Sequence, residues 1–574
     1  MCGIAAIYEP VPNRANPQIR AALTLLSKRG PDHQQLSSSR WGTLMAARLR
    51  VVDLAGPEDA VLASPDARYR IAYNGEVLNH RQLSVHSAPW RAQTARDTEV
   101  VLQLVARYGE RAAPMLQGQF AFVVEDEREG RLIAARDAHG ICPLWLGWRD
   151  ATCLVLASSP ACLLTLGAEP SSIMALPQGH TLVWDVGAKH VAINPFQPGP
   201  PALNGAQNIP LSERIYHTVR SRIPHEVPYA TIVGGLDSSL VTAVCASEPQ
   251  RPVCTITIAT DLPEDDSTDV LNARELEEIY GVASVVERIG EDFVVEHIDE
   301  LVQDLCSASH LAVIAALMSR KAALVARSAG AKVVITGGGA DEIFGGYAFV
   351  WRKFPRARLE ENLRHIRMQT GLFECHREDA SFSPVGVEPR PAYYSAELEQ
   401  IVCQVPLSQR LPGVLEGWPL PNDKALLRAA ATQFPRFPAR IATTAKKALY
   451  ESTAIDRLVA RTARRKLSER EAARWYARHF EHTGWAYLVP QHQVHTAIWI
   501  HKLFCEHFPA LAHLTPRTRP PDYKDTLDYG RYHPALGMPT LERTEAPAEV
   551  KYAARVASEV SVLPTRSGRG MMSF

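Results

Sequence analysis

A cysteine stands at position 2, directly after the initiator methionine. With Met1 removed, Cys2 carries a thiol nucleophile and a free α-amino group on one carbon. An α-amine with an ordinary pKa of about 8 accepts a thiol proton at neutral pH, so nucleophile and base then belong to one residue. A Met-Cys start also arises by chance, and a thiol alone names no substrate. A second chemical signal is Val233-Gly234-Gly235-Leu236-Asp237-Ser238-Ser239, where an apolar strand meets a helix. Glycines let a backbone approach a phosphate, the helix N-terminus offers N–H donors, and Ser238 and Ser239 add hydroxyls. Read by itself, the segment is more simply a tight turn closed by a serine N-cap.

The elements that must position these residues fall into two blocks and a tail. At 574 residues the chain should hold two or more domains. Up to about Val191, short apolar runs at Ile71–Tyr73, Phe120–Val124 and Leu154–Ala157 alternate with turn-formers, and helices are expected at Gln18–Lys28 and Asp97–Tyr108. A Pro/Gly-rich stretch from Asn194 to Pro201 marks a linker, placed at 192–210. Strands then alternate with helices: Ala230–Val233, Ser238–Ser247, Val253–Ala259, Leu271–Tyr280, Lys332–Thr336. That alternation predicts a doubly wound parallel sheet in a domain over 211–515, mostly helical after Asp341. From 516 to 574 the chain is weakly periodic and reads as a poorly ordered tail or a partner arm.

Composition narrows the classes. The hydrophobic fraction is 46% and the charged fraction 22%, as in ordinary soluble proteins. Lys+Arg and Asp+Glu both total 62, which argues against a nucleic-acid or membrane-surface binder. No bilayer-spanning run and no secretory pattern is present, and the ten cysteines form no C-x-x-C pair. A cytoplasmic protein without a zinc or disulfide framework is expected.

Further segments join Cys2: Lys28-Arg29-Gly30-Pro31-Asp32, Arg48-Leu49, Tyr73-Asn74-Gly75-Glu76, Asp97, Gln117 to Phe122, Arg136-Asp137 and Gly140 to Leu144. Their order resembles the glutaminase domain of class II amidotransferases, especially that of asparagine synthetase. The resemblance spans 2–191 and implies an N-terminal-nucleophile αββα sandwich. It implies that Cys2 attacks the glutamine side-chain amide, with Asn74 and the backbone N–H of Gly75 meeting the oxyanion. Arg48 is suited to the substrate α-carboxylate and Asp97 to its ammonium.

The Val233–Ser239 segment resembles the pyrophosphate loop of ATP pyrophosphatases, usually Ser-Gly-Gly-x-Asp-Ser-Ser. Thr336 to Tyr347 resembles a stretch shared by asparagine and β-lactam synthetases, and Lys446 to Glu451 a late lysine loop of these enzymes. The resemblance implies ATP binding by Val233, Gly234, Gly235, Asp237, Ser238, Ser239, Gly337 and Lys446. Asp237 and Asp341, at the ends of neighbouring strands, suit Mg²⁺. Lys446 gives the better register for the catalytic lysine, with Lys447 as its alternative.

Three positions depart from the family pattern. Val233 replaces the leading serine of the loop. Gly338 stands where asparagine synthetases have glutamate and β-lactam synthetases a tyrosine partnered by a later glutamate. Glu374, ahead of Gly386-Val387-Glu388-Pro389-Arg390, is proposed as the substitute acid/base. The region from Ser307 to Lys321 is shortened before its helix; His310 faces the acceptor or is a satisfied interior histidine, the second being favoured. All three departures lie in the acceptor half. The expected activity is therefore a glutamine-dependent amide synthetase that adenylates a carboxylate other than aspartate, set in specialised metabolism. Its expected partners are glutamine and an unidentified carboxylate, with a homodimer left open. The alternatives are an amine nucleophile, as in β-lactam synthetases or lasso-peptide cyclases, and a non-catalytic binding subunit.

Overall fold

The computed structural model describes residues 1–514 apart from 9–16, 88, 189, 200–208, 264, 266–267, 348–357, 413–422, 445–451 and 481–490. Lys446, Lys447 and the expected tail at 516–574 lie outside the described residues.

The first half stacks two six-stranded antiparallel sheets. One runs Met174–Ala175, Trp145–Asp150, Cys153–Ala157, Gly3–Tyr8, Gly42–Arg48, His33–Ser38 in spatial order. The other runs His190–Pro195, His180–Asp185, Arg131–Arg136, Gly118–Asp126, Tyr69–Val77, Val61–Ala63. Side chains alternate across a strand. Ile4, Ala6 and Tyr8 therefore meet Ala121, Val123 and Leu132 between the sheets. Ala5 and Ile7 turn the other way, beneath the helices Pro17–Ser27 and Pro160–Thr165. Phe120, Phe122 and Val124 of the second sheet are covered by helix Asp97–Tyr108. With both faces of each sheet buried, these strands read as continuous apolar runs, and the layering is the expected αββα sandwich. The last strand reaches Pro195, past the expected boundary at 191, and helix Leu211–Arg220 opens the second half.

The second half is built on a five-stranded parallel sheet. Numbered along the chain, Tyr229–Ile232, Thr255–Thr260, Ser284–Ile289, Val333–Thr336 and Glu388–Pro391 take the order 3-2-1-4-5. The first and fourth strands are paired neighbours, and the order reverses there. In doubly wound sheets such a reversal opens a crevice at the carboxyl ends of the strands. Both glycine-rich loops leave from it. The third and fifth strands lie outside the expected set; four residues carrying Pro389 and Pro391 do not read as strand, and the fifth strand's place at a sheet edge is what makes its prolines tolerable. The helices Glu291–Leu305 and His310–Ser328, bent by 115° to each other, pack into the core on one face of this sheet. Among the described residues no single helix is long and apolar enough to cross a membrane.

The halves share a core. Leu49, Val51 and Ile141 of the first half pack in one cluster with Ile215, Tyr229 and Val333 of the second. Polar links run beside it, including Arg136 to the Gly371 carbonyl at 2.7 Å and Lys332 to Asp32 at 2.8 Å.

Candidate functional site

Cys2 immediately precedes the buried strand Gly3–Tyr8, so its position is set by that strand's pairing. Its Sγ lies 3.5 Å from the Leu49 N–H and 3.8 Å from the Leu49 carbonyl. Met1 precedes it, fully buried, with its Sδ 3.4 Å from Cys142 Sγ. Burial lowers the pKa of the Met1 amine and raises that of the Cys2 thiol. While Met1 is attached, the Cys2 nitrogen is an amide and cannot serve as base.

Four of the expected glutaminase residues line one pocket: Cys2, Arg48, Gly75 and Asp97. Arg48 is buried and braced by the carbonyls of Pro57 at 2.8 Å and Val52 at 3.1 Å. Asp97 opens its helix, where a carboxylate is favoured by the free N–H groups. It accepts bonds from the Tyr73 hydroxyl at 2.5 Å and the Val77 N–H at 2.9 Å. Burial raises its pKa, and an ammonium ligand would oppose that shift. Gly75 has φ +145°, and an added Cβ would sit 2.1 Å from the Gln119 carbonyl oxygen, so only glycine fits. Its neighbour Asn74 is fully buried, and neither polar atom of its amide has a partner among the described residues. Leaving such a group unpaired costs about 1–3 kcal/mol, which a ligand oxygen at Nδ2 would offset. The second half closes the same pocket with Glu388, buried, its pKa raised by burial. Glu388 accepts a bond from Arg390 at 2.8 Å, and Arg390 also ion-pairs with Glu76, the residue after Gly75.

The nucleotide crevice is the other centre. Leu236 to Ala246 begins its helix straight after the Gly234-Gly235 turn, leaving the first-turn N–H groups pointed into the crevice. Gly235 has open space where a side chain would stand. Gly337, from the fourth strand's loop, would place a Cβ 2.9 Å from the Ser238 nitrogen, so glycine permits the two loops to touch. Ser238 Oγ accepts the Gly234 N–H at 2.9 Å, and Ser239 Oγ donates to the Gly234 carbonyl at 3.4 Å. Val233 departs from its expected role. Its side chain is 2% exposed within the apolar cluster and its N–H is bonded to the Ile256 carbonyl, so it offers no donor to a phosphate. The loop that faces the crevice is Gly234 to Ser239, in which the Gly234 N–H is already taken by Ser238 Oγ.

Asp237 and Asp341 converge, as their neighbouring strands require, on a third residue that sequence reasoning missed. Lys424 Nζ lies 2.7 and 2.6 Å from the two Asp237 carboxylate oxygens and 3.0 Å from Asp341 Oδ1. Its side chain is 1% exposed. It caps helix Ala425–Gln433 in a left-handed conformation at φ 54°, which costs a non-glycine residue about 1–3 kcal/mol.

Comparison with known proteins accounts for both centres. A glutamine amidotransferase domain model matches residues 1–184, and an asparagine synthase model matches 211–372. The chain is 30% identical over 442 residues to a glutamine-hydrolysing asparagine synthetase of Zea mays, covering 73% of each chain. It is 30% identical over 449 residues to asparagine synthetase 3 of Arabidopsis thaliana, covering 74% of this chain and 75% of that one. The chain belongs to the asparagine synthetase family. Its members are ATP-dependent, glutamine-hydrolysing amide ligases, and this chain is one by that membership.

Gly338 is packed between the fifth strand and helix Glu374–Phe382. An added Cβ at Gly338 would lie 2.7 Å from Pro391 Cβ and 3.3 Å from Glu378 Oε2. The carboxyl beside Gly338 is therefore that of Glu378, and not that of Glu374, one turn earlier on helix Glu374–Phe382. Glu374 ion-pairs with Arg377 and its side chain is 42% exposed. Burial pushes Glu378 up to about 7, although a bond from Thr336 opposes the shift. Nearby Glu342, bonded by the Tyr347 hydroxyl, is also pushed up to about 7 by burial. His310 is an interior residue: it is 7% exposed, bonds Gln493 at 3.2 Å, and burial pushes it down to about 4. A spacing rule along the chain could not choose between Glu374 and Glu378. Lys424 carries no sequence signal beyond a polar residue before an apolar helix.

The residues present fit ATP through the glycine cradle and the helix N-terminus. They fit Mg²⁺ in charge and hardness, since two carboxylates aim at one cation position. Magnesium takes about six oxygens, so phosphate oxygens and water must complete its shell and the Lys424 ammonium must give up that position.

Proposed function

We propose that this chain is a glutamine-dependent amide synthetase whose glutaminase nucleophile is Cys2 and whose acceptor is a carboxylate other than aspartate. The observation that carries the reading is the unpartnered Asn74 amide, fully buried in the sheet next to Gly75, which itself lines the pocket with Cys2. Removal of Met1 frees the Cys2 amine as the base for its own thiol. The thiolate attacks the glutamine amide carbon, and Asn74 Nδ2 with the Gly75 N–H meets the oxyanion. Arg48 and Asp97 hold the α-carboxylate and α-ammonium, so that ammonia leaves and a thioester remains for water to hydrolyse.

In the crevice, bound Mg²⁺-ATP supplies the adenylyl group that activates the acceptor carboxylate, with pyrophosphate departing. Gly234 to Ser239 would cradle the phosphates, and Asp237 and Asp341 would hold the metal. Lys424, once displaced from between them, would neutralise charge on pyrophosphate, a service also assigned to Lys446. Glu378, held near neutrality, takes a proton from the attacking nitrogen. The glutaminase pocket around Cys2, which releases ammonia, supports ammonia as the nucleophile. A second reading, with an amine nucleophile, draws on the same group, because a base of pKa about 7 suits amine attack as well. The shortened stretch before the His310 helix and the glycine at 338 support an acceptor other than aspartate.

The test uses Mg²⁺-ATP, amide-¹⁵N glutamine and a pool of carboxylic acids that includes aspartate, with products read by mass. A non-aspartate product bearing ¹⁵N in a new amide is expected. Labelled asparagine as the product would overturn the acceptor assignment, and a dehydrated product without ¹⁵N would install the amine reading.

A further inference from the structure

Arg29 follows the first helix and is 6% exposed. Its Nε donates to the carbonyl of Cys2 itself, at 3.2 Å. Its two terminal nitrogens pair with both carboxylate oxygens of Asp379, each at 2.7 Å. Asp379 is 2% exposed, belongs to the synthetase half, and also accepts a bond from Ser383 Oγ at 2.9 Å. A guanidinium held by a bidentate carboxylate has a fixed plane. Here that plane fixes the Cys2 carbonyl, and with it the position of the Cα from which the thiol side chain projects. The Arg29 loop itself is clamped, since an added Cβ at Gly30 would stand 2.0 Å from the Ala47 carbonyl oxygen. The nucleophile's backbone therefore rests on a carboxylate from the other half of the molecule.

The helix that carries Asp379 carries Glu378 next to it. Consecutive helical residues point about 100° apart. One of the pair reaches the Cys2 support, and the other reaches the space beside Gly338.

We propose that Asp379 is a positioning residue of the glutaminase centre: through Arg29 it holds Cys2 in attacking geometry, so glutamine hydrolysis depends on the docking of helix Glu374–Phe382. The proposal rests on Cys2 being the nucleophile. It assigns no contact between Asp379 and glutamine, whose recognition by Arg48 and Asp97 is left intact.

The test follows glutamate release from L-glutamine by the full-length protein. Asp379→Asn keeps the shape and removes the charge, and should lower kcat on the order of 10- to 100-fold with KM for glutamine changed less than about twofold. Asp379→Glu should recover most of the loss. Lys332→Ala breaks another link between the halves, to Asp32 at 2.8 Å, and should leave kcat unchanged. If Asp379→Asn does not fold, judged by loss of its thermal transition, Arg29→Lys serves instead. It keeps the buried charge but cannot hold both the Cys2 carbonyl and the bidentate pair, and the same kcat loss is expected. Wild-type kcat in the folded variant, or equal losses in Asp379→Asn and Lys332→Ala, would overturn the proposal. Glutamate release that survives Cys2→Ala would instead overturn the reading on which it rests.

Discussion

The two centres of this molecule are assembled in different ways. The glutaminase pocket takes Cys2, Arg48 and Gly75 from the ends or interior of antiparallel strands and Asp97 from the first turn of a covering helix. Cys2, Arg48 and Gly75 are placed by the sheets that carry them, and Asp97 by the helix packed on one of those sheets. The nucleotide and acceptor centre takes its glycine loops from two parallel strands, then completes itself with Lys424 and Glu378 from helices added later in the chain. Function built on strand ends is legible from local motifs. Function completed by helices docking from afar is not, because their side chains arrive through packing and without a motif.

The largest effect should come from the half that departs least. Cys2→Ala should cut glutamate release from glutamine on the order of 10⁴-fold or more, while ammonium salts still support product formation. Loss of the ammonium-driven activity as well would break the separation of the two centres. In the departing half, Lys424→Ala should reduce AMP formation on the order of 10²- to 10³-fold, as removal of a charge clamp does, and spare glutamine hydrolysis. Unchanged AMP formation would mean that the ammonium only fills the cation position.

A smaller, pH-resolved effect belongs to Glu378. A base pushed up to about 7 works only when deprotonated, so amide formation should rise as pH rises through 7. Glu378→Gln should lose that limb, and retention of the limb would point to Glu342. Stability runs in the opposite sense. A carboxyl whose pKa is raised by folding stabilises most below its unfolded value, and that contribution is lost as pH rises toward 7. Denaturant melts of Glu378→Gln should therefore fall off less between pH 5 and about 7 than wild type does. The smallest effect tests the loop. Val233→Ser restores the family residue, yet its position is core and its N–H is already bonded. KM for ATP should move less than about twofold, while stability drops by about 1–2 kcal/mol from lost apolar burial.

Much of this was readable along the chain. Helix Asp97–Tyr108 coincides with its expected bounds, and the apolar runs at 71–73, 120–124 and 154–157 lie inside observed strands. The strand Glu388–Pro391 escaped notice because of its prolines, although it delivers Glu388 to the glutamine pocket and Pro391 to Gly338. Arg29 was visible within a motif, but nothing in the sequence pairs it with a residue 350 positions away.

The sequence by itself determined the class of chemistry, through many short motifs whose order resembles one family. A thiol next to the chain start, a glycine loop between strand and helix, and two aspartates after parallel strands are local patterns whose physics does not depend on distant partners. Tertiary structure alone decided which carboxyl stands beside Gly338, what occupies the space between Asp237 and Asp341, and which half supports Cys2. Those choices depend on how far a helix has turned and where it docks, and a burial that spans hundreds of residues leaves no periodicity to read.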